Sequence, residues 1–496
     1  MHFMLQPSNS SMMKKLPLLT ALLIHFSLAA QTDLDAFRYS QRAVAGTARY
    51  ISMGGAFTAL GGDMTTLSHN PAGQGIYRGS EFTFSSSVFT GNSRSDYLGD
   101  NMTDGRTNFN IPNVGAVFTA LQNNQTVNAS GWISWNFGIA YNRLMDFHNV
   151  RSFEGYNTTS SLVDYFAQQA NGIYPDNLDR FNEDLAYQTY LINPDSTLNY
   201  SSAAAGGNVL QRRSSETRGA ISETSLTFSG NYSNKLYLGG SIGIVGLRYR
   251  EDTYFDEVDT QNQHDSLQQY EYASFLNSEG SGLNLKFGFI YRASDLFRIG
   301  GAIHTPTWYN MSDAYSSTMA SKFDKGKTYR YASPDGAFDY FYKSPFRAML
   351  GAGFIFGKAG LLSVDYEFSD AGQSTVRADG YGFSQVNADI RRKYVGTHTL
   401  RAGTEWKLDN VSLRAGYGFT TSPISDGYKV AGSDFSQSRF SGGIGFREKN
   451  FFIDLGFLYS LTKEFTQPYT LENTYVPGSN DRVTGYNATV TVGLKF

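Results

Sequence analysis

The residues able to do chemistry are few, and their spacing suits it poorly. Seven histidines, His2, His25, His69, His148, His264, His304 and His398, are scattered with no pair at metal-binding separation. The chain has no cysteine, which removes thiolate metal sites, iron–sulfur clusters, thiol nucleophiles, disulfides and a lipidated Cys. Gly239-Gly-Ser-Ile-Gly243 is spelled like a hydrolase nucleophile elbow, but that motif needs a strand–turn–helix break. Alternation instead runs on unbroken to Tyr249. Gly326-Lys-Thr328 ends like a phosphate loop, yet Ser321 stands where the first glycine belongs and no helical pattern follows. No Ser and His face each other convincingly at a lipid boundary, as a barrel phospholipase would require. His304, inward-facing near the outer end of a strand, is the one candidate for ligand binding, as a haem ligand or general base, set against a plain polar role in a lumen. No catalytic residue, metal site or cofactor is assigned, and a non-enzyme is expected.

Composition says what such a chain can be. Lys and Arg number 41 against 44 Asp and Glu, a formal net charge of −3 over 496 residues, so nothing favours nucleic acid, whose binding rests on neutralised phosphates. Aromatics reach 15% and glycines 51, while charged residues are only 17%, below the roughly 25% of soluble domains. With a mean hydropathy of −0.34, this mixture disfavours both a helical membrane protein and a disordered one. Lys14 and Lys15 precede the apolar run Leu16 to Ala30. That order of positive, apolar and small residues marks a secretory signal peptide over 1–30, cut after Ala29 or Ala30. Beyond Ala30 no run of 18 apolar residues offers a transmembrane helix.

From about residue 80 the pattern has a period of two. Ala488, Val490, Val492, Leu494 and Phe496 share one face, and Asn487, Thr489, Thr491, Gly493 and Lys495 the other. Fourteen strands are expected, near 80–91, 108–120, 133–146, 218–232, 235–250, 282–292, 296–309, 345–357, 360–370, 397–408, 411–420, 437–447, 451–462 and 484–496. From the fourth onward short and long links alternate, the arrangement of an outer-membrane barrel with short periplasmic turns and long outer loops. An even count returns the chain to its starting side, and a closed sheet leaves no open edge in lipid. The nine prolines beyond residue 80, Pro112 to Pro477, all fall in long connections or at the strand ends adjoining them, as expected of a residue that cannot donate to a ladder. Trp308, Tyr309, Tyr342, Trp406, Phe446 and Phe451 stand near strand ends, where aromatic girdles belong. Inward charges of both signs, Lys286, Asp365, Glu367, Arg401, Glu405 and Arg414, imply a salt-bridged lumen. The longest connection, 148–217, carries helical spacing in Leu162, Tyr165, Phe166 and Ala170, and again in Leu178, Phe181, Leu185 and Ala186.

Residues 31–79 differ: they are rich in small side chains, lack alternation, and are short enough to lie inside a barrel as a plug. Met53-Gly-Gly-Ala, Asp63 and Asn70-Pro71-Ala72-Gly73 resemble the hatch segment of the FadL/TodX family of outer-membrane hydrophobic-compound transporters. Arg298 to Pro306, Ser363 to Asp370 and Ser412 to Pro423 extend the likeness, which covers roughly residues 45–496. Arg38-Tyr-Ser and Gly46-Thr-Ala-Arg resemble Bacteroidetes members labelled haemin receptors. The resemblance implies an all-β membrane protein, a 14-stranded antiparallel transmembrane β-barrel over 80–496 with its N-terminal hatch (31–79) inside the lumen. It assigns hatch or gating roles to Gly54, Gly55, Asp63, Asn70, Pro71 and Ala72, although Asn70 also suits a tight turn. It further implies a third strand (Trp132 to Phe147, carrying Gly138) that kinks to let cargo leave sideways.

The functional expectation is a passive outer-membrane channel for hydrophobic small molecules, long-chain fatty acids or similar lipophilic compounds, gated by the hatch. The alternative is an outer-membrane haem-binding receptor. Expected partners are the hydrophobic ligand, outer-membrane lipids, and the assembly machinery reading the terminal strand that ends in Phe496. A monomer is expected, with no nucleic acid partner.

Overall fold

A computed structural model describes residues 33–122, 130–430, 432 and 434–496; the signal peptide expected over 1–30 lies outside the described residues. Fourteen antiparallel strands form one closed barrel. In chain order they are Glu81–Tyr97, Asp100–Leu121, Trp132–Asp146 continuing as Asn149–Asn157, Val209–Tyr232, Leu236–Val258, Leu267–Arg292, and Phe297–His304 continuing as Trp308–Phe323. The eighth is Gly336–Lys343 continuing as Arg347–Phe356, followed by Gly360–Asp370, Gly396–Leu408, Val411–Thr420, Gln437–Arg447, Phe451–Thr466 and Ser479–Lys495. Closure comes where the last strand pairs with the first, from Glu81↔Lys495 to Asp96↔Asn480. The ring is locked at its base by paired backbone bonds between Ser80 and Phe496.

The alternation turns apolar side chains outward. Phe228, Phe287, Ile303, Leu350, Leu400 and Leu494 are all more than half exposed on the outer face, forming the belt that lipid requires. No described helix is long and apolar enough to cross a membrane; the strands cross it.

Every expected strand is present, and several run well past their expected outer ends. The sixth has 26 residues, Leu267–Arg292, and the first two meet in a two-residue turn at Leu98-Gly99, both at positive φ. A membrane needs only about 9–11 residues of tilted strand, so the surplus stands above the belt. The ends of the presumed 148–217 loop are wall as well, since Asn149–Asn157 pairs with 209–217.

Three prolines sit inside the wall, each at a defect. Pro112 lies within the second strand, where the register against the first shifts around Ser86, a bulge of the kind proline tolerates. Pro306 and Pro345 interrupt the seventh and eighth strands side by side, and Ser344 N donates to Thr307 O at 3.0 Å across the two breaks. Below the break His304 faces Lys286, and above it Trp308 faces Leu283, so one residue has been inserted and inward and outward faces exchange. Trp308 therefore points outward at 52% exposure, while Tyr309 and Tyr342 point inward at 1%. Those two tyrosines are lumen residues and not part of the girdle; Trp308, Trp406, Phe446 and Phe451 do face outward.

Over the mouth, helices Leu162–Ala170 and Glu183–Gln188 pack on the upper inner wall. Val163, Phe166, Leu185, Phe255, Tyr270 and Met319 share one buried cluster. Ser161 and Asp164 form a capping box at the start of the first helix. Glu183 is buried in this cap, and loss of water near Asp179 pushes its carboxyl from 4.5 up to about 7. Charging it opposes packing, so the cap is expected to be firmest below about pH 4.5 and to loosen as pH rises towards 7. Hydrogen exchange over 162–188, corrected for intrinsic rate, should show protection falling across that window, and Glu183→Gln should flatten it. Unchanged protection in the unsubstituted chain would contradict the assignment.

Candidate functional site

Inside the barrel the chain before the first strand folds into a layered plug. Helix α1 (Asp33–Ser40) lies above α2 (Ala48–Ser52), α3 (Thr66–His69) and a 3-10 turn (Pro71–Ile76), and the lower layer is almost wholly buried. The wall around that lower layer is stripped of side chains. A Cβ on Gly239 would lie 2.4 Å from the Pro71 backbone, one on Gly288 1.9 Å from Asn70 Oδ1, and one on Gly300 2.2 Å from Thr58 O. Likewise one on Gly416 would meet Gly54 N at 2.4 Å, and one on Gly443 would meet Ser52 Oγ at 2.0 Å. The glycine of the would-be nucleophile elbow thus serves as a contact for the plug. Gly138 does the same beneath Gln74 and Leu67 and makes no kink.

The residues singled out in the sequence assemble this floor. Asp63 accepts from Thr47 Oγ1 at 2.7–2.8 Å and from Thr65 N at 2.9 Å, tying two plug segments together. Asn70 Oδ1 accepts from Ala72 N at 3.1 Å, which is the local turn. Its Nδ2 donates to Thr58 O at 2.6 Å and to Phe289 O on the wall at 3.2 Å. Gly54 and Gly55 adopt φ of +62° and +77°, which glycine permits at no steric cost. Pro71 and Ala72 form the surface that Gly239 receives.

The inward wall charges find partners on one another and on the plug. Glu405 takes both Arg49 of α2, at 2.8 and 3.2 Å, and Arg414, at 2.6 Å. Arg414 also reaches Asp454 at 2.7 Å. Asp365 accepts from Thr58 N at 2.8 Å, and Glu367 pairs with Arg347 and Arg401, each at 2.6 Å. Lys286 pairs with Glu223, to which Ser68 of α3 donates at 2.6 Å. Buried charges demand such pairing, because an orphaned one costs several kcal/mol, roughly 3–5 when a partner is removed. Arg49 and Ser68 were not found by sequence reasoning; a small-residue segment gave no sign of which polar side chains complete the wall's network. His304 Nε2 lies 2.7 Å from His69 O, so its ring N–H is committed to the plug.

Above the floor a polar cavity of about 80 Å³ opens among Arg42, His69, Glu223, Lys286, His304 and Arg347. Over it stands an aromatic chamber built by three rungs of the fifth to eighth strands. The register aligns Val245, Gly282, Tyr309 and Tyr342, then Leu247, Gly280, Met311 and Tyr340, then Tyr249, Ser278, Asp313 and Phe338. Gly280 and Gly282 leave the space that Met311 and Tyr309 fill. Helix α1 enters this chamber with Ala36 and Tyr39, each 1% exposed. Tyr342 Oη donates to Ala36 O at 2.8 Å, and Arg38 lies over the Tyr249 ring at 4.2 Å. A loop helix, Ser384–Lys393, closes the chamber with Ile390, and Lys393 holds Asp33 at 2.9 Å.

Beside the chamber the wall is incomplete. Pairing between the second and third strands ends at Asn113↔Asn142, and residues 100–112 ladder only with the first strand. The third strand breaks at Phe147-His148 and its continuation turns inward, where Ser93 Oγ donates to Val150 O at 2.6 Å. Among the described residues the slit is bridged by bonds that each use at least one side chain, including Asn108 Nδ2 to Asp146 Oδ2 at 3.1 Å, Ser152 N to Asp104 Oδ2 at 2.8 Å, and the Arg106–Glu216 ion pair.

Fold and site together define a plugged, 14-stranded membrane barrel with an aromatic chamber and a slit in its wall. The barrel is similar in fold to solved toluene transporters and a FadL homologue. The Pseudomonas putida toluene transporter TodX aligns with a TM-score of 0.54 at 14% identity, covering 92% of this chain and 100% of that one. A Pseudomonas aeruginosa FadL homologue gives 0.55 at 11%, covering 91% and 98%, and the Ralstonia pickettii toluene transporter TbuX 0.51 at 12%, covering 91% and 99%. No family profile and no curated protein matches the sequence itself.

If the bare wall is what lets the plug dock, Gly300→Val should unseat it. The expected outcome in planar bilayers is a raised conductance to small ions, with the heat-modifiable gel mobility of the intact barrel retained. A variant barrel as tight as the unsubstituted one would contradict the role given to these glycines.

Proposed function

We propose that the chain is a passive outer-membrane channel for hydrophobic small molecules, of the character of long-chain fatty acids or similar lipophilic compounds, gated by its N-terminal hatch. The observation that carries this reading is the vertical order of the lumen: a capped mouth, an aromatic chamber, a polar cavity, and a plug sealed against a glycine-lined wall. Cargo leaving water gains by burying apolar surface in the chamber. The cavity below is lined by Arg42, Arg143, Lys286, Arg347 and Arg401 against Glu223 and Glu367, an excess of positive charge that suits an acid head group. Movement of the hatch opens the way on, and the slit beside the third strand, adjoining Phe147 of the chamber, supplies a sideways exit into the membrane. The toluene transporters of like fold support the cargo class, and the engagement of His304 by His69 tells against the haem-receptor alternative.

The absence of native cysteine makes the gate testable. Asp33→Cys with Lys393→Cys, bridged by a short bifunctional maleimide, ties α1 to the outer loop helix. Oleate uptake by cells lacking their own fatty-acid channel should fall to background when bridged and return with a reducible linker once it is cleaved. Uptake indifferent to the bridge would remove hatch gating, and no uptake of any hydrophobic probe would remove the channel.

A further inference from the structure

On its outer face, turned away from the lumen, the wall is hollowed just above the apolar belt. Across the fourth to eighth strands the ladder sets outward residues in rungs. The highest apolar rung holds Ile244, Leu283 and Trp308, each half or more exposed, and the tryptophan marks the membrane–water interface. The next rung up is Ser222, Gly246, Ser281 and Asn310, and the one above it Ala220, Arg248, Glu279, Ser312 and Asp339. These small residues leave a groove of about 1120 Å³, running from Arg143 at the slit to Asp379 in the loop ahead of helix Ser384–Lys393.

The charges in the middle of this groove are open. One rung higher Arg218 and Arg250 face each other, but Glu216 holds the first at 2.6 Å and Asp252 the second at 3.1 Å. At the slit end Arg143 and His148 are both taken by Asp146, at 2.8 and 2.9 Å. Arg248 and Glu279 stand opposite in the ladder, yet among the described residues neither they nor Asp339 forms a side-chain hydrogen bond or ion pair. A guanidinium only donates and a carboxylate only accepts, whereas a hydroxyl does both. A phosphate head answers Arg248 and is repelled by Glu279 and Asp339; an ammonium head answers the carboxylates and is repelled by Arg248. A zwitterionic head answers both signs but is short. From Ala220 to Asp339 the groove crosses strands spaced about 4.8 Å apart, a length of roughly 19 Å, and the serines and Asn310 line it with neutral partners. A run of sugar hydroxyls supplies donors and acceptors along that whole length.

From this arrangement we propose that the groove binds the sugar head of an outer-leaflet glycolipid, a disaccharide or longer, whose acyl chains lie down the belt over Ile244 and Leu283. A lipid is the source because the groove opens onto that apolar rung at interface height. Glu279 and Asp339 accept from the sugar hydroxyls, Arg248 donates to them, and Phe341, 42% exposed, flanks the far end. The bound head braces the wall next to the stretch where the second and third strands do not pair. The site lies outside the lumen and is independent of the hatch and its cargo.

Native mass spectrometry of the protein released from lipid nanodiscs tests this. The discs hold equal amounts of phosphatidylethanolamine, phosphatidylglycerol and a diglucosyl diacylglycerol with the same acyl chains. The diglucosyl lipid should stay on the chain as one copy, enriched about tenfold over either phospholipid. Arg248→Gln combined with Asp339→Asn should abolish the enrichment, because a site built for hydroxyls discriminates only while its partners are present. A Cβ at Gly246 meets nothing nearer than Ser222 Oγ at 3.7 Å, so Gly246→Trp fills the groove without straining the wall. It too should abolish retention, with the heat-modifiable gel mobility of the intact barrel kept. If Gly246→Trp fails to assemble, the Arg248 and Asp339 variant decides by the same readout. Equal retention of the three lipids, preference for either phospholipid, or enrichment that persists in either folded variant would overturn the proposal.

Discussion

Everything inside this barrel depends on how closely a folded segment can approach a closed sheet. A strand presents its inward side chains to the lumen, and a plug resting on them would leave gaps the size of those side chains. Here the inward positions at plug level are glycines on one strand after another, so main chain meets main chain at Pro71 and Thr58, and the Asn70 amide fits against Gly288. That contact buries peptide groups and charges together, which is tolerable only because each finds a partner. Asn70 bonds both its own turn and the wall, and Arg49 completes a carboxylate that Arg414 already holds.

The same constraint divides the lumen. Where the wall is glycine, the plug packs against main chain; where it becomes Tyr309, Tyr342 and Tyr249, the sheet stands back and α1 fills the space with Ala36 and Tyr39. The switch between regimes falls at the paired breaks of Pro306 and Pro345, whose inserted residue turns two tyrosines from the membrane face to the lumen. A defect in the ladder thus places the aromatic chamber directly over the plug. The second defect, where the third strand leaves the second, places a slit beside it.

Much of this was legible in the sequence wherever lipid enforces alternation. Val490, Val492 and Leu494 announce a strand because one face must be apolar. Above the belt that pressure vanishes: Asn92 to Asp96 continue the first strand with polar residues on both faces, so no period of two survives to be read. The faces of Tyr309 and Tyr342 were hidden for another reason, since one inserted residue reverses all that follows and hydrophobicity does not register it. In the plug, Asp63, Asn70 and the glycine pair stood out by type and resemblance. Arg49 and Tyr39 stood only inside motifs of the resemblance, with no role attached, and Ser68 had no role assigned, because what they do is fixed by wall residues far off in the chain, Glu405, Tyr342 and Glu223.

The central claim is that the lumen receives hydrophobic small molecules. It is tested most directly by mass spectrometry of the intact protein released from mild detergent, with the ejected compounds identified. The account predicts hydrophobic small molecules of fatty-acid or aryl character bound one per chain. A bound haem, a polar solute, or protein that carries no small molecule even after incubation with such compounds would contradict it.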